Sequence, residues 1–297
     1  MATLFEKTFP TKVTFGADPE VYIRRQQDNK LLGAWEITKG TKEHHDKDVD
    51  SKSIVDLHSD GVALEFNIKP GNAKQFRDNV KHAMSLISVI AKKHGTTIHL
   101  GPEVEGYDKE TLRHPIALVV GCDPWFDAYA KDTHNPVIGK FNPVMTQKRY
   151  FGGHLHIGYD QSLLPPHALV RLLEASTYLS NVRIDAQKSR REFYGNAGQF
   201  RYKPYGLEYR TPSNWWLKDS IFLDQWTNNV VAILDYAGQQ AAKKKLHKWY
   251  ESQDWKQVKH AIDAADENLC EKYSQEMNTD FRNSLGVNVL TRKMYES

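Results

Sequence analysis

Val62-Ala63-Leu64-Glu65-Phe66-Asn67-Ile68 alternates in chemistry: Leu64, Phe66 and Ile68 are apolar, Glu65 and Asn67 polar. A period of two belongs to a β-strand, whose successive side chains point to opposite faces. One face of this strand therefore joins a core while the other carries polar chemistry. Asp60-Gly61 before it and Pro70-Gly71 after it supply the bounding turns. Its sheet partner is not legible, but its signature recurs. Asp18 and Glu20 stand two apart in the extended segment Lys12 to Arg24, beside apolar Val13, Phe15, Val21 and Ile23. His154 and His156 alternate with Leu155 and Ile157, and Glu208 and Arg210 with Leu207 and Tyr209.

Each pair alone has an ordinary structural reading: Asp-Pro-Glu as a turn, Glu-x-Asn as a solvated sheet face, Glu-x-Arg as a cross-strand ion pair. His-x-His is more pointed, because Gly152-Gly153 and Gly158 permit close approach of a ligand or another backbone. If the four faces converge, Asp18, Glu20, Glu65 and Glu208 crowd one cavity and need cations to stay ionised. Oxygen donors suit Mg²⁺ or Mn²⁺, and an imidazole among them suits Mn²⁺ or Zn²⁺ better than Mg²⁺. The segment Arg190 to Arg210 adds Arg190, Arg191, Arg201, Lys203 and Arg210. Guanidinium groups match phosphate oxygens, so acids and arginines together point to a metal-bound polyphosphate.

The rest of the chain supplies a scaffold. Leu31 to Ile37 is expected to form a hairpin with the first strand, and Thr38 to Ser59 reads as a long polar loop. Lys42 and the loop Gly40 to Ser59 are candidates for lining or closing a substrate pocket. From Asn72, an N-cap residue type, Phe76, Val80, Met84, Ile87 and Ile90 recur at helical spacing until Gly95. Further strands are expected at Thr97 to Leu100 and Ile116 to Cys122. Further helices are expected from Pro165-Pro166 to about Gln187 and from about Asp219 to Gln239. Lys243-Lys244-Lys245, Trp249 and Trp255 then sit among helix formers, suggesting residues 1–239 as one domain and 240–297 as a helical extension packed on it.

With 40 basic against 37 acidic residues, the net charge of +3 provides no global field for nucleic acid or an anionic membrane. No run of about 18 apolar residues marks a membrane span. Met1 to Pro10 has no signal-like apolar stretch, and two cysteines make no disulfide framework, so a cytoplasmic protein is expected.

Four motifs in this order carry a family resemblance: Phe15-Gly16-Ala17-Asp18-Pro19-Glu20, Asp60 to Asn67, Gly152-Gly153-His154-Leu155-His156-Ile157-Gly158, and Gly198 to Arg210. Together they resemble the phage-type carboxylate-amine ligases (amidoligase type 2) of the glutamine synthetase and glutamate-cysteine ligase superfamily. Similarity runs from about Phe15 to Trp216 and leaves the tail after about Gln240 uncovered. The resemblance implies an α+β glutamine synthetase-like domain, whose curved, mainly antiparallel sheet carries helices on its outer face. It also implies ATP and two or three Mg²⁺ or Mn²⁺ ions. It places Asp18, Glu20, Glu65, His154 and Glu208 as metal ligands, with His156, Arg201 and Arg210 toward nucleotide and phosphate; Lys203 joins that group from the cationic run. Glu65, Arg201 and Arg210 fall in the catalytic group.

The implied reaction is ATP-dependent amide or peptide bond formation through an acyl phosphate, releasing ADP and phosphate. Its partners are small-molecule or peptide carboxylates and amines, in a host cytoplasm if the chain is phage-encoded. Asp18 departs from the Glu-x-Glu of the wider superfamily by one methylene. The competing expectations are a metal-dependent hydrolase working through His154, His156 and a carboxylate, and a non-catalytic binding protein that keeps the fold.

Overall fold

One long strand organises the sheet. The structure is a computed structural model describing residues 12–44, 46, 52–119, 124–139, 142–144, 146–286 and 289. The first half of β1 (Thr14–Arg25) is flanked by antiparallel β4 (Ala63–Gly71) and β9 (Gly153–Gly158), its second half by β2 (Leu31–Leu32) and β5 (Thr96–His99). Beyond β4 lies β3 (Ile54–Asp60); beyond β9 follow β11 (Gly206–Tyr209), β10 (Gln199–Lys203) and β7 (Phe126–Asp127). The main order is thus β3-β4-β1-β9-β11-β10-β7, while β6 (Glu103–Val104) and β8 (Arg149–Tyr150) pair separately. The fold is α+β with a mainly antiparallel sheet.

Leu64, Phe66, Leu155, Ile157 and Leu207 are all buried, as their alternation requires. Against this apolar face pack α1 (Ala73–Lys93), α3 (Pro166–Leu173) and α5 (Ser220–Gly238). Helix α1 starts where expected, because the Asn72 side chain accepts the Gln75 N–H while the Gln75 side chain accepts the Asn72 N–H. It stops before Gly95, whose φ of +66° suits a glycine. Short helices α2 (Lys109–Arg113) and α4 (Lys188–Arg191) lie in the connections. The tail forms α6 (Gln240–Glu251), α7 (Trp255–Asp263) and α8 (Glu267–Leu285). Helix α7 grips the loop before β10: Asp263 accepts the Ala197 N–H at 2.7 Å, and Lys259 donates to the Ala197 carbonyl at 3.2 Å. No described helix is long and apolar enough to cross a membrane.

Several expectations are corrected. The hairpin ends at Leu32, and Ala34–Glu36 is a 3₁₀ turn. Part of the expected loop Thr38 to Ser59 is strand β3, whereas β10 arises in a segment read only for its cations. Ile116 is not in a strand. Pro115, with φ preset for a helical turn, opens a 3₁₀ segment to Leu118, and the His114 ring accepts the Ile116 N–H at 3.3 Å. Residues 120–122, Cys122 included, lie outside the described residues, as does Met1 to Pro10.

The helix expected to reach Gln187 leaves α geometry at Leu173 for a π turn, Glu174–Tyr178, and then a 3₁₀ turn to Ile184. The π turn carries Glu174 fully buried behind the sheet, accepting from the Tyr129, Tyr209 and Thr211 hydroxyls and the Gly198 N–H. Burial nonetheless pushes its carboxyl up to about 7. With the folded value raised, the protonated acid favours the fold. That stabilisation is complete below the ordinary carboxyl pKa and is lost as pH rises through about 7, roughly 3 kcal/mol in all. Glu174→Gln should therefore remove this share of the decline, gaining on the wild type at pH 8 but not at pH 5. Urea denaturation at both values tests this, and an equal difference at the two pH values would refute it.

Candidate active site

The register, more than any single residue, builds the site. Directly opposed residues in adjacent strands share a face, and the pairings set His58 opposite Glu65, and Glu65 opposite Glu20. They also set Asp18 opposite His154, His156 opposite Glu208, and Glu208 opposite Arg201. A row of ionisable side chains therefore crosses β3, β4, β1, β9, β11 and β10 on the face away from the helices. Over it lies a cavity of about 310 Å³, lined by Asp18, Glu20, Glu65, His154, Arg201, Lys203, Glu208 and Arg210 and walled by Trp125, Tyr150 and Phe193.

Within this row, two sets of three donors lie close enough to share an ion. Asp18, His156 and Glu208 form one, Glu20, Asp60 and Glu65 the other, each with its ligand atoms within 4.8 Å of one another. The first set fits a cation on independent grounds. Asp18 Oδ1, His156 Nε2 and Glu208 Oε2 are buried without a hydrogen bond of good geometry. His156 Nε2 does lie 3.1 Å from Asp18 Oδ1, and Lys203 Nζ 2.7 Å from Glu208 Oε2, but as ion-pair contacts. Two carboxylates and an imidazole held this close fit a divalent cation, which would take over the neutralisation these ion-pair contacts now supply.

His154, expected beside the metal, sits between the two sets. Its Nδ1 is 3.3 Å from Asp18 and 3.3 Å from Arg210, and its Nε2 meets the Tyr194 hydroxyl. Burial and Arg210 push its imidazole down to about 4, so it is neutral near pH 7. His156, expected toward the nucleotide, is the imidazole in the first donor set, and its Nδ1 meets the Tyr205 hydroxyl at 2.8 Å.

The electrostatics differ across the cavity. Burial alone would raise the Glu208 carboxyl, but Arg210, with His154 and Arg201, holds it well below the usual range. Arg201 lies 3.4 Å away, and Arg210 is in direct contact. Asp18 is likewise lowered against its burial, by His156 and His154. On the other side, burial and the Asp60 charge push Glu20 up to about 7. Burial, with Asp60 and Asp18, pushes Glu65 up to about 8 despite His58. Lys42 reaches this end, 3.2 Å from Asp60. The β10–β11 end thus holds ionised acids among fixed cations, while the β3–β4 end is carboxyl-rich.

Arg190 and Arg191 correct the expectation of one cationic run. The Arg190 guanidinium donates to the carbonyls of Phe151, Thr211 and Pro212, and that of Arg191 to those of Gly195 and Asp185. Both are buried; the Arg190 donors go to backbone carbonyls, and Arg191 adds a donation to the Tyr178 hydroxyl at 2.9 Å. His58, Asp60 and Tyr194 were missed. A signal existed for two of them, since Asp56, His58 and Asp60 repeat the polar alternation in β3. His58 bridges Asp56 and Glu65 at 3.5 Å each. Those carboxylates raise it to about 10 against the opposing effect of burial. Nothing in the sequence pattern singled out Tyr194.

Residues 143–286 match the profile of the phage phiEco32-like COOH.NH2 ligase-type 2 family. The match contains the motifs at 152–158 and 198–210 and reaches into the tail that the motif resemblance left uncovered. The motifs at 15–20 and 60–67 precede it. Among solved structures, "Apo GmaS without ligand" aligns with 93% of this chain and 70% of its own, at 13% identity and a TM-score of 0.39. No curated protein matches the chain.

Proposed function

We infer that this chain, similar over residues 143–286 to type 2 carboxylate-amine ligases, joins a carboxylate to an amine at the expense of ATP. The observation that carries the reading is the adjacency, on one sheet face, of two three-donor sets and the cations Arg201, Lys203 and Arg210. Acids alone would suit a metal-dependent hydrolase; acids beside fixed guanidinium groups suit a metal-bound polyphosphate.

In this reading Asp18, His156 and Glu208 hold one cation and Glu20, Asp60 and Glu65 another. The oxygen-rich second set suits Mg²⁺ or Mn²⁺, and the imidazole in the first tilts that set toward Mn²⁺. Bound divalent ions supply neutralisation of phosphate charge. Arg201, Lys203 and Arg210 orient the nucleotide phosphates and stabilise the charge that develops as the γ-phosphoryl group transfers. A substrate carboxylate oxygen bonds to the γ-phosphorus as the bond to ADP breaks, giving an acyl phosphate. The neutral amine then bonds to the acyl carbon, phosphate leaves with the C–O bond pair, and the amine nitrogen releases its proton. His154, neutral, presents its Nδ1 to both Asp18 and Arg210 at 3.3 Å and its Nε2 to the Tyr194 hydroxyl.

The test is ADP release from ATP with Mg²⁺ or Mn²⁺ across pooled amino acids, polyamines, peptides and small carboxylates. ADP formation that needs both a carboxylate and an amine, with a coupled product visible by mass spectrometry, is expected. Metal-dependent hydrolysis without nucleotide would replace this reading with the hydrolase. Failure to bind either metal or ATP would replace it with a non-catalytic protein.

A further inference from the structure

We propose that Tyr194 is a positioning residue that fixes Glu20 as a cation ligand and ties it to the His154–Arg210 pair, an inference that rests on the ligase reading of this site. Both Glu20 oxygens are anchored: Oε2 accepts the Gly152 N–H at 2.6 Å, and Oε1 lies 3.1 Å from the Tyr194 hydroxyl. With both anchors in place the carboxylate plane is set, leaving its remaining lone pairs toward Asp60 and Glu65. Without the hydroxyl, Glu20 could swing about its single bond to Gly152. The same hydroxyl contacts His154 Nε2 and lies 3.4 Å from an Arg210 nitrogen. One O–H thus joins a ligand of the Glu20 set to two neighbours of the Glu208 set.

The protein invests in placing this group. The Tyr194 ring lies 5.0 Å from the Arg190 guanidinium carbon and 5.5 Å from that of Arg210, both within cation–π range. Arg190, immobilised by its three backbone carbonyls, is therefore the bed of the tyrosine. The Tyr194 N–H donates to the Arg190 carbonyl at 2.7 Å, and Gly195, at φ +71°, turns the chain away immediately afterwards. Gly152 leaves the space the hydroxyl fills, since a Cβ there would lie 2.5 Å from both Tyr194 Oη and His154 Nε2. A tyrosine serving only as core would not need its oxygen aimed into a ligand cavity.

Tyr194→Phe keeps the ring and its cationic bed and removes only the oxygen. Groups that orient a metal ligand typically set affinity by 10- to 100-fold. Titration with Mn²⁺ alone, following free Mn²⁺ by electron paramagnetic resonance, should show two ions bound to the wild type. In Tyr194→Phe one of the two should be weakened about 10- to 100-fold, with the other unchanged. Superimposable isotherms overturn the proposal, and so does equal weakening of both sites, which marks a structural tyrosine. Should Tyr194→Phe fail to fold, Tyr194→Leu removes the same oxygen without touching the Gly152 anchor, and must weaken one of the two sites while sparing the other. A folded Tyr194→Leu with wild-type binding at both sites overturns the proposal too. A wild type that binds no Mn²⁺ removes the ligase reading itself, and is recognised before any substitution is made.

Discussion

On the proposed ligase reading, Glu208→Gln is expected to lower substrate-dependent ADP formation on the order of 10³-fold. Glu208 is fully buried, contacts Arg210, and lies 3.4 Å from Arg201 and 2.7 Å from Lys203. Its ionised carboxylate balances three cations that would otherwise repel one another, and it belongs to the Asp18–His156–Glu208 donor set. Glutamine fills the same volume but removes the charge, so the cations lose their counter-ion and the set loses an anionic donor. Uncompensated buried charge also destabilises a fold by about 3–5 kcal/mol, so turnover must be compared per folded molecule, with thermal unfolding measured in parallel. A folded Glu208→Gln enzyme retaining a tenth of the wild-type rate would falsify this assignment.

A second large effect concerns pH. Glu20 is raised to about 7 by burial and Asp60, and Glu65 to about 8 by burial, Asp60 and Asp18. In the cation-free protein their protonated forms favour the fold. That stabilisation is complete below the ordinary carboxyl pKa and fades as pH rises through 7 and 8. A divalent ion binds only the ionised carboxylates, so its affinity must rise over the same window as the two protons cease to compete. From pH 6 to pH 8 the apparent affinity of this set should increase on the order of 10²- to 10³-fold. In thermal shift, Mn²⁺ should add little at pH 6 and much more at pH 8. Glu65→Gln should flatten the dependence, and a wild-type profile level across that interval would sink the idea.

The same chemistry explains what the sequence revealed. Alternation exposed β1, β4, β9 and β11 because in each the polar residues face hydrophobic neighbours across a clean period of two. Strand β3 obeys the same rule, with Asp56, His58 and Asp60 on one face, but its other face ends in Ser59 and it follows a long charged stretch. Local polarity there outweighed periodicity. Strand β10 was hidden differently, since Arg201 and Lys203 drew attention as cations rather than as alternate residues of a strand. Counting charges could not separate Arg201 and Arg210, which face the cavity, from Arg191, which bonds to local carbonyls, or from Arg190, whose donors bind carbonyls brought near only by the fold. Tyr194 was illegible for the same reason: Glu20 is 174 residues away from it in sequence.

The grip of α7 on the loop before β10 gives the tail leverage over the cavity. Lys259 and Asp263 hold Ala197, three residues from Tyr194 and four from Arg201. A shift of α7 is therefore passed to the loop that joins these two cavity residues, so the outer helices act as a clamp on the spacing of groups they never touch.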